Sequence, residues 1–314
     1  MLVFPEMTAD WIFSTAGFFL LSAGSMRLAW PYIAGVVALL IGVVPVRRKF
    51  ANAEGINKLI LLGPLFLAIP MAVFGGDHFV FAQQIAGFMP SWIPWHLFWV
   101  YFVGVCLFAG AVSLAVDRYA PLAAASFGVM LFLFVLLMDI PGLVQTPGDR
   151  FAWVGTGRDL TFGAGAIAFA AACAASRGMK SARVVLLLVR IEIGIAATFF
   201  AIEHFLHPEL KPSVPFQQMT PSYIPLRVPI GYLTGVVLLI TGVAIVFKKR
   251  TKLAAAALGL FLLLLVIVVY TPIVVAEPLS IDNGLNYFGD TLMYSGAMLC
   301  LAGAYSEKPA LREK

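Results

Sequence analysis

Two acid–histidine dipeptides carry the most chemistry in this chain. They are Asp77-His78 and Glu203-His204, set in the matched stretches Phe74 to Phe79 and Phe200 to Phe205. An imidazole titrates near neutral pH, so beside a carboxylate it can relay a proton or hold a polar head group. Asp159 and Asp290 form a second matched pair. All four acids fall near the same ends of apolar runs, which predicts one common depth. A charge in hydrocarbon costs from about 2.5 kcal/mol upward, so such residues usually face a protein interior and mark function. Glu203, His204, Asp77 and His78 are therefore the candidate catalytic residues. Asp159, Asp290, His207, Gln217, Trp92 and Tyr223 are the candidate ligand contacts.

The same residues also have a structural reading. An acid at a helix start caps free N–H groups and complements the helix dipole. Aromatics at span ends form an interfacial belt. Neighbours on a helix do not face each other, so Glu203 is not aimed at His204, whereas His207 lies one turn on and could meet Glu203 if the helix continues. The second copy looks better equipped for acid/base work, because Phe81 stands where it has His207. No His-Glu-x-x-His and no paired cysteines are present, so no metal site is expected.

The elements that must position these residues are written twice. Pro90-Ser91 and Ile93-Pro94 recur as Pro221-Ser222 and Ile224-Pro225, a shift of 131 positions that also carries Gly104 to Gly235, Pro141 to Pro272 and Asp159 to Asp290. Upstream the shift is 126, so the second copy has a loop five residues longer. Self-similarity of this kind predicts two like-folded units.

Of 314 residues, 61% are hydrophobic and 12% charged, with mean hydropathy +0.95. Soluble domains carry about 25% charged residues. The chain is predicted to be all-α and polytopic in a membrane, with about ten transmembrane helices. Eight apolar runs fall at about 58–81, 95–116, 121–139, 159–176, 183–206, 226–247, 253–276 and 285–305, preceded by two shorter ones at about 11–27 and 31–46, broken by Arg27 and Pro31. The expected division is an N-terminal membrane hairpin over 1–50, four-helix repeats over 56–176 and 182–305, and a tail over 306–314. With four spans each, the repeats face the same way and are related by an axis along the membrane normal. No charged residue is expected near the middle of any repeat span.

The net charge of +5 resides in short clusters between apolar runs, among them Arg47-Arg48-Lys49, Arg118, Arg177 to Arg183 and Lys248 to Lys252. All fall on one side. That is an orientation signal and not a nucleic-acid stripe, and it predicts a bacterial inner-membrane protein with a cytoplasmic C-terminus. The loops of the other side read as poor in Lys and Arg. Cys106, Cys173 and Cys300 lie inside apolar runs and read as small buried hydrophobes. No phosphate-binding glycine loop, nucleotide fingerprint, nucleophile elbow or c-type haem motif is present.

With its acid–His near the end of the first span, its Pro-x-x-Ile-Pro-type approach to the second and its short basic turn before an Ala-rich third, each repeat resembles the four-helix unit of the DoxX family. The resemblance covers about 56–305. It implies an up-down four-helix bundle, here in tandem, and kinship with membrane subunits of quinone-linked oxidoreductases. A wider similarity reaches bundles that hold lipidic ligands against buried acids. By position, the site residues it implies are Asp77, His78, Glu203, His204, Asp159 and Asp290. The expected ligand is then a quinone or another lipid, bound in a pocket open to the outer leaflet. A quinone reaction would need an electron-donating protein partner. The rival expectations are a proton-coupled transporter and a structural or assembly protein without catalysis.

Overall fold

Continuous apolar runs without period-two alternation dictate helices, because in lipid every backbone group must be satisfied within its own segment. The computed structural model describes residues 23–306. Its helices are α1 (Ala23–Asn52), α2 (Ile56–Ile60), α3 (Gly63–Val80), α4 (Ala82–Gly87), α5 (His96–Ala115), α6 (Ala120–Phe134), α7 (Ile140–Gln145), α8 (Arg150–Ser176), α9 (Ser181–Leu206), α10 (Arg227–Val246), α11 (Thr251–Leu265), α12 (Thr271–Ala276) and α13 (Asn286–Ala304). Among the described residues the extended structure amounts to one isolated bridge, Leu210 to Met219. The protein is an all-α, polytopic membrane protein: eight of its helices are long and apolar enough to cross a membrane. α13 takes the place of the fourth span in the second copy. It is buried along most of its length, which lets it carry Asp290, Thr291 and Ser295 where a lipid-facing helix could not.

The duplication extends to backbone detail. A π-helical turn at Val135–Asp139 recurs at Val266–Tyr270. Left-handed residues Trp95, Asp117 and Tyr119 recur as Leu226, Lys248 and Arg250. Each of these pairs keeps the offset of 131. Gly104 lets α5 approach α3 beside the His78 and Phe79 side chains, and Gly235 lets α10 approach α9 beside those of His204 and Phe205.

The copies close on each other. In each, the first span packs on the second (α3 on α5, α9 on α10) and the third on the fourth (α6 on α8, α11 on α13). The first span comes scarcely close to the fourth of its own copy. Instead α3 packs on α13 and α9 on α8, and α8 meets α13 at the centre. A pseudo-two-fold axis therefore passes between α8 and α13, and the matched Asp159 and Asp290 lie on these two helices.

Two expectations about the leading segment meet different outcomes. α1 runs unbroken through Arg27 and Pro31. Pro31 is accommodated because it packs against Gly76, where any side chain would meet its Cα at 2.9 Å. The run at about 11–22 and the tail residues Lys308, Arg312 and Lys314 lie outside the described residues. At the basic end, Lys49 pairs with Asp117 at 2.5 Å and Lys252 donates to Asn57 at 2.9 Å.

Candidate functional site

At the end opposite the basic clusters, the two copies differ. In the second, α9 stops at Leu206, and the chain turns back into the protein as a hairpin. Lys211 N–H donates to the Gln218 carbonyl at 3.0 Å, and Thr220 N–H to that of Glu209 at 2.9 Å. The hairpin tip, Lys211 to Phe216, is buried. It fills the mouth between α8, α9, α11 and α13 like a plug.

A buried peptide must have its polar groups satisfied, and helix side chains supply the partners. Arg150, in the first turn of α8, donates to the carbonyls of Pro215 and Phe216 and to Glu203. The Tyr270 hydroxyl donates to the Pro212 carbonyl. Ser213 and Thr291 share a hydroxyl hydrogen bond of 2.6 Å. Ser213 N–H donates to His204 Nε2 at 3.1 Å. His204 Nδ1 bonds the Phe200 carbonyl at 2.6 Å. A carbonyl only accepts, so Nδ1 carries the proton and Nε2 the lone pair.

These contacts correct part of the sequence reading. Glu203 does not meet His207: the helix ends one residue too early, and Glu203 pairs with Arg150 instead. His207 lies 3.8 Å from Glu209. Both ring nitrogens of His204 are occupied, Nδ1 by the Phe200 carbonyl of its own helix and Nε2 by the Ser213 N–H of the plug, so the better-equipped pair of the sequence is a structural anchor. Gln217 is exposed at the hairpin turn. Tyr223 donates to Glu277 at 2.9 Å, away from the plug. Burial, and then the Glu277 carboxylate beside it, push the Tyr223 phenol above its usual range.

Lys211 is 2% exposed, donates to the Asn283 carbonyl, and stands 4.4 Å from the centre of the Tyr287 ring. Burial pushes its pKa down from 10.5 to about 8, with Glu277 opposing the shift. Below that value the folded and unfolded chains are both protonated, and the burial penalty is present in full. As pH rises from about 8 to 10.5 the folded chain loses its proton first and the penalty is relieved. The melting temperature of the wild type, measured against Lys211→Met in detergent, is expected to climb across that window.

The structure does bring Asp159 and Asp290 together. Arg158 lies between them, 2.8 Å from Asp159 and 3.6 Å from Asp290, and 5.3 Å from the centre of the Phe216 ring. Asp139, on the π turn after α6, adds a further charge near Arg158. Asp77 lies within electrostatic reach of Asp290 and Asp282, with Asn286 beside it. One carboxylate oxygen each of Asp77, Asp139 and Asp290 is buried without a hydrogen-bond partner among the described residues. The sequence reading took the loops of this side as poor in Arg and so missed Arg150 and Arg158. Glu192 also overturns an expectation, since it sits near the middle of α9 with a buried, unpartnered Oε2 that acts electrostatically on Tyr294. The signal for both arginines was available: four acids cannot be buried at one depth without cations nearby.

In the first copy no plug fills the mouth among the described residues. The chain after α3 forms the short helix α4, and a cavity of about 360 Å³ remains between α3, α5 and the end of α6. Its wall is made by Val100, Val103, Phe134, Leu137 and Met138, with Phe88, Trp92 and Trp99 at the rim and His78 as its one ionisable group. His78 Nδ1 bonds the Phe74 carbonyl at 2.7 Å, repeating the pose of His204. Among the described residues nothing bonds its Nε2. A second groove, of about 560 Å³ between α1, α3 and α5, is lined by apolar side chains and Arg27.

Among the described residues one mouth is thus closed by the protein's own peptide and its twin is open, with a matched histidine at each. The chain matches no protein-family model, no curated protein and no solved structure, so the resemblance to the DoxX unit rests on the repeated motifs alone.

Proposed function

We propose that this protein binds a lipid-soluble, amphipathic ligand in the His78 cavity of its first repeat, on the outer side of a bacterial inner membrane. A quinone is the leading candidate. The observation that carries the proposal is the pairing of an apolar, aromatic-rimmed cavity with a single positioned polar group, the usual anatomy of a small-molecule site. The basic clusters at the other end support an outer-leaflet position for this cavity by the positive-inside rule. The DoxX-like motifs point the same way, towards a membrane subunit of a quinone-linked oxidoreductase. Such a subunit would take its electrons from a protein partner.

The role given to Glu203 and His204 in the sequence is reassigned here. They hold the plug, and Asp159 and Asp290 share Arg158 across the two copies. Extraction of lipids from protein purified in mild detergent tests the proposal. The wild type is expected to retain a stoichiometric lipid-soluble compound, and Val103→Phe, which fills the cavity, to lose most of it. Equal retention by both would refute it.

A second reading is proton-coupled transport. Glu192 favours it, because a carboxylate near mid-span with one buried, unpartnered oxygen suits a titrating relay. Flux in proteoliposomes that depends on a pH gradient and is lost in Glu192→Gln would establish it in place of the first reading.

A further inference from the structure

We infer that the His78 cavity recognises its ligand through a hydroxyl group that donates a hydrogen bond to His78 Nε2, so that it prefers a hydroxyl-bearing head, such as a quinol, over the corresponding carbonyl form. The inference rests on the proposed ligand-binding role of this cavity and names the chemistry that the cavity selects.

The argument begins with the ring itself. The Phe74 carbonyl can only accept, so the 2.7 Å bond to His78 Nδ1 places the proton on Nδ1. In the neutral ring, Nε2 then carries a lone pair and offers an acceptor. The surroundings favour the neutral ring: the wall is Val103, Phe134, Leu137 and Met138, and among the described residues no carboxylate pairs with His78. An imidazolium there would lack the partner that burial of a charge requires.

The second copy provides an independent observation. His204 holds the same pose, with Nδ1 on the Phe200 carbonyl, and its Nε2 is met by a donor, the backbone N–H of Ser213. Gly104 and Gly235 set the same helix approach beside the two rings. The plug therefore displays, in one copy, the hydrogen-bonding group that the described residues of the other copy do not supply. In the first copy a ligand is the donor we assign to it. A quinone carbonyl cannot, since it has no proton to give, and it would face the Nε2 lone pair. A phenolic hydroxyl can, and Trp92, Trp99 and Phe134 in the cavity lining offer aromatic surface to its ring.

The test uses the full chain in detergent and four probes of equal tail length: decylhydroquinone, its dimethyl ether, decylbenzoquinone and 1-decanol. A site left with an unpaired polar group discriminates by about 1–3 kcal/mol, or roughly tenfold or more. Wild type is expected to bind decylhydroquinone at least about tenfold more tightly than the dimethyl ether or the quinone. In His78→Leu the three should converge. Tight binding of 1-decanol with weak decylhydroquinone keeps the hydroxyl donor and assigns an aliphatic lipid alcohol as its bearer. Equal binding of all probes to wild type, still blocked by Val103→Phe, would overturn the inference while leaving the cavity as a ligand site. Absence of binding by every probe, with no lipid retained on purification, would overturn the ligand-binding role and the inference with it. Should His78→Leu fail to fold, nitrogen-15 NMR of the wild-type His78 ring decides. A neutral ring protonated at Nδ1 is expected, and a proton on Nε2 would overturn the inference.

Discussion

Arg150→Met is expected to destabilise the protein by about 3–5 kcal/mol, because it leaves Glu203 as a buried carboxylate without its counter-ion. Glu203 is 9% exposed, and Arg150 also supplies the donors for the Pro215 and Phe216 carbonyls. The double variant Arg150→Met, Glu203→Gln removes the stranded charge and is expected to recover about half of the loss. It cannot recover all of it, since the two plug carbonyls still lack donors and each such group costs about 1–3 kcal/mol when buried. Unfolding curves in mixed detergent measure the stability. The plug reports separately: a cysteine in place of Val214, which is fully buried, should resist a membrane-impermeant thiol reagent in an otherwise wild-type background and react in the Arg150→Met background. Protection in both backgrounds would show that Arg150 does not hold the loop.

Arg158→Met is the second large effect, also expected at about 3–5 kcal/mol. Arg158 sits on α8 of the first copy and reaches Asp290 on α13 of the second, so it ties the copies together at the pseudo-two-fold axis. Without it Asp159 and Asp290, 8% and 5% exposed, face each other with no cation between them. Arg158→Lys should rescue poorly. A planar guanidinium can bond both carboxylates, whereas an ammonium is a compact point charge on a shorter reach. Arg158→Met combined with Asp290→Asn should regain stability by removing one of the two stranded charges. If Arg158→Met unfolds like wild type, the cluster does not hold the copies together.

The fold was legible in the sequence because an almost wholly apolar chain makes its few polar matches conspicuous. Asp159 and Asp290, or His78 and His204, could be aligned by eye, and the loop lengths gave the order of spans. What could not be read was how the copies close. Up-down threading puts each first span beside its own fourth span, yet α3 packs on α13 and α9 on α8. The choice depends on close approaches such as Gly296 against the backbone of Phe66 and Leu67, which no periodicity reveals.

The site was legible in its residues and misread in their roles. Lys211 to Phe216 has the look of a solvent loop, being rich in proline and carrying a lysine, so nothing marked it as buried. Its one signal was the five extra residues of the second copy. Those residues make the hairpin that enters the protein and occupies His204. The consequence inverts the first reading: the copy with more ionisable groups is closed, and the plainer copy keeps an open cavity.

Photocrosslinking tests this contrast most directly. A benzoylphenylalanine in place of Met138 lies in the wall of the open cavity, and one in place of Val214 lies in the plug. After irradiation in native membranes, mass analysis should find a lipid-soluble adduct at position 138 and only crosslinks within the chain at position 214. An adduct at 214, or none at 138, would contradict the account of one mouth filled by its own peptide and its twin kept for a ligand.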